Sequence, residues 1–347
     1  MRARFYRIAF TLGLFLSLTW AGAASAWQVD TFPLESHGRS GFWGLAMDKS
    51  GMPWVLANGL VQYFDGREFV ALDKGRLSGE QFVTGLYGGP ERGVYLTQRG
   101  DKDQLGKIFR LEDGQCEEVT TFYYESWHDP PGIYVSQDGR LFNWGPTYLA
   151  VYDGEHWKRV EGEFDRRSRT YPPAICDLGD DVYFYSTDDN RIYHCNAKSV
   201  LDSMDGPKDL GDALAAHKQK NMYPVPPLTT SWNGDRVLVF FHRSSLRFAF
   251  NVRTAEPIEL NLVPKEGQRF GFVDFTELRD GSVLLISHIS GLHEYALYKL
   301  TADGEISELP GSRVFNWANS NLRSNPHSFL EASDGTLVLG SPQFGFT

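Results

Sequence analysis

The stretch DKSGMPWVLANGLVQYFDG, residues 48–66, places a short apolar segment between two tight-turn signals. The first turn is Asp48 to Gly51, and the second is Asp65-Gly66. Asp-Gly and similar pairs supply the positive φ angles that tight hairpins need. The stretch and its flanks therefore predict four short strands joined by turns. These strands are Gly41–Met47, Pro53–Ala57, Leu60–Phe64 and Glu68–Leu72.

Similar pairs of turns recur along the chain about 40 to 55 residues apart, which is the period of a propeller blade. The first turns of the units fall at Gly51, Arg92-Gly93, Gly139, Asp180-Asp181, Gly234, Gly281 and Gly335. The second turns fall at Gly66, Gly114, Gly154, Asn196-Ala197, Thr254-Ala255 and Gly304. The last unit has no second turn, so it has room for three strands only.

The mature N-terminus supplies a strand-like segment, Trp27 to Leu34, that can complete this last unit. We expect it to lie beside Phe344 to Thr347 as the fourth strand, because closure protects the edges of a sheet repeat. The sequence thus predicts an all-β, seven-bladed β-propeller in which residues 27–347 form a single domain. An open stack of sheets, or two separate domains, is the alternative.

The first 26 residues have the pattern of a signal peptide. Three arginines precede an apolar segment, Ile8 to Trp20, and Ala24-Ser25-Ala26 is a small-residue cleavage site. We therefore expect cleavage before Trp27 and a periplasmic or extracellular protein, with an uncleaved anchor as the alternative. No later segment is long and apolar enough to span a membrane.

Composition limits the function classes. The formal net charge is -10, and it becomes about -13 without the leader arginines, so nonspecific nucleic-acid binding is disfavoured. Cys176 and Cys195 are predicted on the first and third strands of one sheet, about 9.5 Å apart, which is too far for a disulfide. With Cys116 they are expected to be reduced and buried. A helical insertion is predicted near 199–220, after the third strand of the fourth blade, as a packed decoration.

The quoted residues resemble the repeat of two-component-regulator propellers. That repeat has an Asp-x-x-Gly turn, a Trp on the next strand, a Gly-Leu pair, then Tyr-Asp-Gly and an aromatic residue. The matching positions are Asp48, Gly51, Trp54, Gly59, Leu60, Tyr63, Asp65, Gly66 and Phe69. The third unit repeats part of the pattern at Asp138-Gly139, Trp144, Tyr152-Asp153-Gly154 and Trp157, and the other units keep mainly the turns.

The resemblance implies a propeller and, by extension, the periplasmic sensing part of hybrid sensor proteins, which sense polysaccharide fragments. This sequence has no transmembrane helix or kinase segment after the propeller, so a sensor of this kind would signal through a partner. Propellers also serve as unrelated binding modules and enzymes, so the resemblance argues for fold more than for function.

Propeller sites lie mostly at the axial channel and on the face that carries the inter-blade loops and the loops between second and third strands. Aromatic residues and arginines gather in those loops here, and such side chains stack on sugar rings and bind carboxylate or sulfate. The candidate ligand-binding residues are Tyr123, Tyr124, Trp127, His128, Arg167, Tyr171, His242, Arg243, His288, Arg313 and Trp317. The alternative is that these loops pack their own aromatic residues and pair their arginines internally.

Five histidines also fall on this face and can converge toward the axis: His128, His242, His288, His293 and His327. Nothing in their spacing matches a metal motif, and nucleophile-elbow, P-loop, dinucleotide and calcium-loop patterns are absent. We therefore predict no cofactor, no metal and no catalytic residue.

The sequence favours an exported, non-catalytic module that recognises a carbohydrate or anionic ligand, or an envelope protein partner. The first alternative is a polysaccharide lyase or hydrolase that uses His242 or His288 at the axial mouth. The second is a scaffold for envelope protein assembly.

Overall fold

A computed structural model describes the strands, their tight turns and one helix. The described residues are 11–17, 28–33, 42–57, 60–65, 67–72, 83–89, 93–99, 105–112, 115–123, 132–145, 148–161, 174–187, 189–198, 200–220, 227–241, 247–260, 270–289, 294–309, 328–331, 335 and 337–340.

The chain divides into two compact units, and the first comprises residues 1–123 and 320–347. Its strands before the C-terminal part are β1 (Thr11–Ser17), β2 (Gln28–Pro33), β3 (Phe42–Met47), β4 (Pro53–Ala57), β5 (Leu60–Phe64), β6 (Phe69–Ala71), β7 (Val83–Gly89), β8 (Gly93–Gln98), β9 (Leu105–Glu112) and β10 (Gln115–Tyr123). The β3–β6 and β7–β10 sheets are each antiparallel meanders of four consecutive strands.

The second unit, residues 124–319, contains four more such sheets. Two of them are formed by β11 (Gly132–Val135), β12 (Leu141–Gly145), β13 (Tyr148–Tyr152), β14 (Trp157–Glu161), β15 (Ala174–Leu178), β16 (Asp181–Ser186), β17 (Arg191–Cys195) and β18 (Leu201–Asp205). Helix α1 (Lys208–Lys220) follows β18. The other two sheets are formed by β19 (Leu228–Trp232), β20 (Arg236–Phe240), β21 (Arg247–Asn251), β22 (Pro257–Ile258), β23 (Phe270–Glu277), β24 (Val283–Ile289), β25 (Glu294–Leu300) and β26 (Ile306–Glu308).

The remaining sheet, in the first unit, joins the two ends of the chain. Strands β27 (Ser328–Glu331) and β28 (Leu337–Gly340) pair with each other, β28 pairs with β1, and β1 pairs with β2, all antiparallel. The described chain therefore has six blades of consecutive strands rather than the predicted seven. The further sheet is called the mixed sheet below, because its strands come from both ends of the chain.

The predicted closure of the last blade is wrong in its pairing. The segment expected to complete it, β2, lies in the mixed sheet, but its partner is β1 from within the predicted signal peptide and not the C-terminal residues. Phe344 to Thr347 lie outside the described residues. A strand paired through backbone groups needs no special sequence, so the apolar segment 11–17 can fill a sheet position that the sequence pattern predicts for another segment.

The turns follow the sequence prediction closely. Gly51 has a φ of 85°, in the left-handed region where a side chain is strained. Positive φ values also occur at the predicted Gly93, Gly139, Gly154, Gly234, Ala255, Gly281, Gly304 and Gly335. In the fourth unit the turn glycine is Gly179, directly before the predicted Asp180-Asp181.

Side chains between neighbouring sheets form the core of each unit. Within the first unit, Trp54 and Leu56 pack with Leu96 and Phe109 of the next sheet. Within the second, aromatic residues such as Phe142 and Phe184 meet between sheets, with ring centroids 5.0 Å apart. This alternation of buried residues on both faces is what sheet stacking requires.

The helix is confirmed, with a corrected position. It follows the fourth strand of its sheet, β18, rather than the third. Leu210 and Leu214 are buried against the core between the β15–β18 and β19–β22 sheets. Across the described residues, no helix is long and apolar enough to cross a membrane.

Candidate functional site

Each sheet has a turn end and a loop end. The turn end carries the tight turns between its first and second and between its third and fourth strands. The loop end carries the connection between its second and third strands and those to neighbouring sheets. In the β15–β18 sheet, Gly179 and Asn196 lie at the turn end, and Ser186 to Arg191 lie at the loop end.

Two of the predicted ligand-binding residues belong to described strands. Tyr123 is the last residue of β10 and lies opposite Leu105. His288 lies in β24 between Gly271 and Tyr295. The other candidates lie outside the described residues: Tyr124, Trp127, His128, Arg167, Tyr171, His242, Arg243, Arg313 and Trp317. His293 and His327 lie there too, so the proposed convergence of histidines stays a prediction.

At the turn end, the signature aspartate of the quoted stretch has a structural role. Asp48 is 1% exposed and accepts hydrogen bonds from the backbone amides of Ser50 at 3.0 Å and Met52 at 2.9 Å. Its second carboxylate oxygen accepts a hydrogen bond from the Trp54 indole at 2.9 Å. The Asp-x-x-Gly turn and the following Trp are thus one hydrogen-bonded unit, which explains why they occur together in the repeat.

Arg140 joins two sheets at their turn ends. Its guanidinium donates to the carbonyls of Asn196 at 2.6 Å and Asp180 at 2.8 Å in the next sheet. It also donates to the Asp138 carboxylate in its own turn at 2.6 Å. With 10% of its side chain exposed, this arginine connects sheets rather than presenting a charge to a ligand.

Carboxylates near the ends of first strands make the reverse connection, back to the turn of the preceding sheet. Asp177 accepts from the backbone amide of Gln137 at 2.7 Å and from the Tyr134 hydroxyl at 3.1 Å. Glu277 accepts from the amide of Gly234 at 2.8 Å and from the Ser231 hydroxyl. Glu277 is thus a structural acceptor between two sheets.

A histidine clamp joins three strands of the β15–β18 sheet. The ring nitrogens of His194 lie 3.0 Å from an Asp181 oxygen and 3.1 Å from an Asp202 oxygen, and the ring stacks on Tyr183 at 4.4 Å. A neutral imidazole has one N–H, so only the protonated ring donates to both carboxylates. Sequence analysis did not single out His194, because the three residues meet only through strand register.

The loop end of the same sheet is held by a network around Asn190. Asn190 has a φ of 55° and accepts a hydrogen bond from the Tyr185 hydroxyl at 2.9 Å. The side-chain amide of Asn190 donates to the Pro207 carbonyl at 3.2 Å, and its backbone carbonyl accepts from the Gly206 backbone amide at 2.7 Å. The segment that leads into α1 is therefore fixed to this loop.

Helix α1 adds a histidine that the sequence prediction missed. His217 packs edge-on against Phe241, with ring centroids 5.1 Å apart. Phe241 is the last described residue before the candidate His242. Helix α1 therefore packs against the residue that precedes this candidate. The helix thus forms part of the loop end, the side on which the sequence predicted a binding face.

Two described arginines also lie at loop ends. Arg99 follows β8 and is partly buried, and Arg247 begins β21 opposite Phe240. Burial lowers the pKa of Arg247 below its ordinary value. Over the part of the chain that the structure describes, no group of three histidine, cysteine or carboxylate side chains is placed to hold a metal ion.

No protein-family model and no curated protein matches the sequence. Solved structures do match in fold. A streptogramin B lyase superposes with a TM-score of 0.55 at 14% identity, covering 88% of this chain and 94% of the lyase. The extracellular domain described as part of a hybrid two-component system from B. thetaiotaomicron gives a TM-score of 0.51 at 11% identity, covering 88% of this chain and 39% of that one.

A third match is a chain of the mitotic checkpoint complex, with a TM-score of 0.52 at 10% identity, covering 87% of this chain and 90% of that one. These proteins differ in function, and at such low identity the similarity establishes the fold alone. The chain is an all-β β-propeller with one short helix.

Proposed function

We propose that this protein is an exported, non-catalytic recognition module that binds a carbohydrate or anionic ligand, or an envelope protein partner, at the loop ends of its sheets. In this proposal residues 1–26 are a leader that is removed on export to the periplasm or the cell exterior. The mixed sheet serves as a seventh blade.

The use of polar side chains at the turn end carries this proposal. Asp48, Arg140, Asp177 and Glu277 are all committed to turns or to contacts between sheets. A residue already bound to its own fold cannot also bind a ligand without losing those bonds. Recognition is therefore assigned to the loop ends, where the sequence concentrates aromatic residues and arginines.

The resemblance to sensor propellers supports a recognition role, as does the fold similarity to a two-component extracellular domain. Aromatic side chains offer flat surfaces for sugar rings, and arginine pairs with carboxylate or sulfate in two parallel hydrogen bonds. These two side-chain types together fit an acidic oligosaccharide. We expect the bound state to be passed on through a partner protein.

A glycan array followed by thermal-shift titration tests this function. A ligand present at 100 times its Kd stabilises the folded state by about 2.7 kcal/mol, so an acidic oligosaccharide should raise Tm in a saturable way. Trp127→Ala and Arg167→Ala should remove the shift. Glu155→Ala and His156→Ala, exposed at the turn end, are the matched controls and should keep it.

Two other outcomes are informative. If acidic oligosaccharides give no shift but envelope proteins are captured reproducibly, the chain acts as an assembly scaffold. If the turn-end controls lose binding and the loop-end variants keep it, the assignment of the face is wrong.

A lyase is the second candidate function, and one observation favours it. Helix α1 packs His217 against Phe241, which directly precedes the candidate His242 in the sequence. A solved virginiamycin B lyase from Staphylococcus aureus, with a TM-score of 0.52 at 13% identity, includes a catalytically inactive histidine-to-alanine form bound to quinupristin. Cleavage of a polysaccharide by the wild-type protein, lost in His242→Ala or His288→Ala, would establish catalysis.

A further inference from the structure

The turn between β19 and β20 contains an asparagine followed by a glycine, Asn233-Gly234. Asn233 is exposed, and its φ of 50° lies in the left-handed region, as does the φ of 75° at Gly234. An asparagine side chain can be attacked by the backbone nitrogen of the next residue, and glycine hinders this attack least because it has no Cβ. The pair therefore has the residue types that favour spontaneous deamidation.

The reaction exchanges an amide for an acid and needs only water. The Gly234 nitrogen loses its proton to water or hydroxide and bonds to Cγ of Asn233. The bond from Cγ to Nδ2 breaks, and ammonia leaves with a proton from water, so a succinimide ring remains. Water then opens the ring at Cγ to give aspartate, or at the backbone carbonyl to give isoaspartate. Water is consumed, ammonia is released, and nothing is oxidised or reduced.

In the folded protein, both reacting groups are held by the next sheet. The Gly234 amide donates a hydrogen bond to a Glu277 carboxylate oxygen at 2.8 Å. The other Glu277 oxygen accepts from the Ser231 hydroxyl, which fixes the carboxylate in place. The Asn233 side-chain oxygen lies against Gly281, 2.7 Å from where a Cβ would stand there. The backbone amide of Asn233 also donates to the Gly281 carbonyl at 3.0 Å.

These contacts oppose the reaction in two ways. The negative charge of Glu277 makes loss of the Gly234 proton harder, because the charge that develops on the nitrogen has the same sign. Ring closure also requires the side chain to reach one particular geometry, and packing against Gly281 limits its freedom to do so. Both effects come from the β23–β26 sheet, so they last only while the two sheets remain in contact.

We propose that Asn233 is a deamidation site that the β23–β26 sheet keeps inactive, and that separation of this sheet from the β19–β22 sheet activates it. Aspartate at this position places a new carboxylate two residues before Asp235 and next to the amide that Glu277 binds, where like charges repel. Isoaspartate lengthens the main chain inside the turn that pairs Trp232 with Arg236. Either product opposes renewed contact, so the opening of this junction becomes irreversible. The inference is separate from the proposed function, since it concerns the turn end.

Peptide mass mapping during incubation in mildly alkaline buffer tests the site. Deamidation raises the mass of the peptide that contains Asn233, and its aspartate and isoaspartate forms separate by chromatography. The reaction should be at least about tenfold slower in the folded protein than in urea, because unfolding removes both contacts. Asn58-Gly59, the other such pair in the sequence, is followed in its own peptide. Equal rates at Asn233 in folded and unfolded protein would show that the next sheet gives no protection.

Substitution of Glu277 separates its hydrogen bond from other effects of folding. Glu277→Ala removes the acceptor and should speed the reaction of the folded protein about tenfold. Glu277→Gln keeps an acceptor oxygen but not the charge and should give an intermediate rate. Glu305→Ala removes an exposed carboxylate from the same sheet and is the matched control, with the wild-type rate. If Glu277→Ala reacts no faster than this control, the protective role of Glu277 is wrong.

Two substitutions of Asn233 test the consequence without relying on Glu277. Asn233→Asp carries the charge of one product and should lower Tm by about 2 °C or more. Deamidated wild-type protein, separated by ion exchange, should show a reduced Tm as well. Asn233→Gly tolerates the positive φ and should abolish the mass change while keeping Tm. If Asn233→Asp and the deamidated protein both keep the wild-type Tm, the modification does not weaken the junction and the proposed irreversibility fails.

Discussion

At the scale of single residues, this protein uses carboxylates to fix the turns of its repeat. Asp48 is buried with four donors around it: two backbone amides, the Ser50 hydroxyl and the Trp54 indole. Asp65, in the second turn of the same sheet, is exposed and accepts from the Arg67 and Glu68 amides. The two aspartates look alike in the sequence, but burial makes their energetic roles different.

Asp48→Ala should destabilise the fold by about 2–4 kcal/mol, because it leaves several buried donors without acceptors. Lys49→Ala, next to it and exposed, is the control and should have little effect. Chemical denaturation of both variants measures the difference. Similar midpoints for the two would show that water replaces the carboxylate.

Asp153→Asn tests the contribution of an exposed turn carboxylate to acid stability. Hydrogen bonds from the backbone amides of His156 and Glu155, and the contact with Lys158, lower the pKa of Asp153 well below its ordinary value. A lowered pKa in the folded state contributes stability above the unfolded-state pKa, and that stability is lost as the pH falls.

Asparagine keeps an acceptor oxygen but cannot titrate. The wild-type protein should therefore exceed Asp153→Asn in Tm at pH 6, and the difference should shrink between about pH 5 and pH 2. A constant difference across this range would assign the effect to geometry rather than to charge.

At the scale of elements, contacts between sheets depend on a few long side chains. Arg140 donates to two carbonyls of the neighbouring sheet. Arg236 donates to one, the carbonyl of Ala302, at 2.8 Å. Its guanidinium carbon also lies over the Trp232 ring, 4.8 Å from the ring centroid. Arg140 directly follows the turn glycine Gly139, and Arg236 comes two residues after the turn glycine Gly234. The turn thus positions a side chain that holds the next sheet.

Arg140→Met keeps the aliphatic stem and removes the donors, and we expect it to cost about 2 kcal/mol. Lys198→Met, at the exposed second turn of the neighbouring sheet, should be close to neutral. Urea denaturation curves distinguish the two. A neutral Arg140→Met would mean that the sheets are held by their apolar core alone.

Leu214→Ala tests whether α1 is an integral part of its unit. Leu214 is 4% exposed against the core between two sheets, and truncation of such a leucine costs about 2–5 kcal/mol. Gln219→Ala, on the exposed side of the helix, should be neutral because alanine favours helix. If Leu214→Ala unfolds the helix without lowering the global Tm, the helix is an independent decoration.

At the scale of the whole molecule, the three cysteines report on global unfolding. No disulfide joins them; Cys176 and Cys195 are buried, and Cys116 is partly buried. Burial raises the pKa of the Cys176 thiol well above its usual value, and that of Cys195 as well. Since the thiolate is the reactive form, native labelling should be slow at these two positions.

Alkylation followed by peptide mass mapping should therefore modify Cys116 first. Labelling of Cys176 and Cys195 should appear only together with the unfolding transition, and a reducing agent should leave Tm unchanged. Rapid labelling of Cys176 under native conditions would contradict the buried position.

The repeat was predictable because its signals are local. The strand bounds of β4 and β5, 53–57 and 60–64, are those expected from the quoted stretch. Every predicted turn glycine among the described residues has positive φ. The candidate site stays largely a prediction, because only Tyr123 and His288 of its residues lie in described strands. The His194 clamp and the position of His217 escaped detection because their partners come from strands and helices apart in sequence.

The sequence by itself determined the turns and the four-stranded units, because a turn is decided by the φ preference of one or two residues and a strand by the apolar residues between two turns. The tertiary structure alone decided which segments complete the mixed sheet. Backbone groups pair without regard to side-chain identity, so β1, and not a C-terminal strand, can lie beside β28.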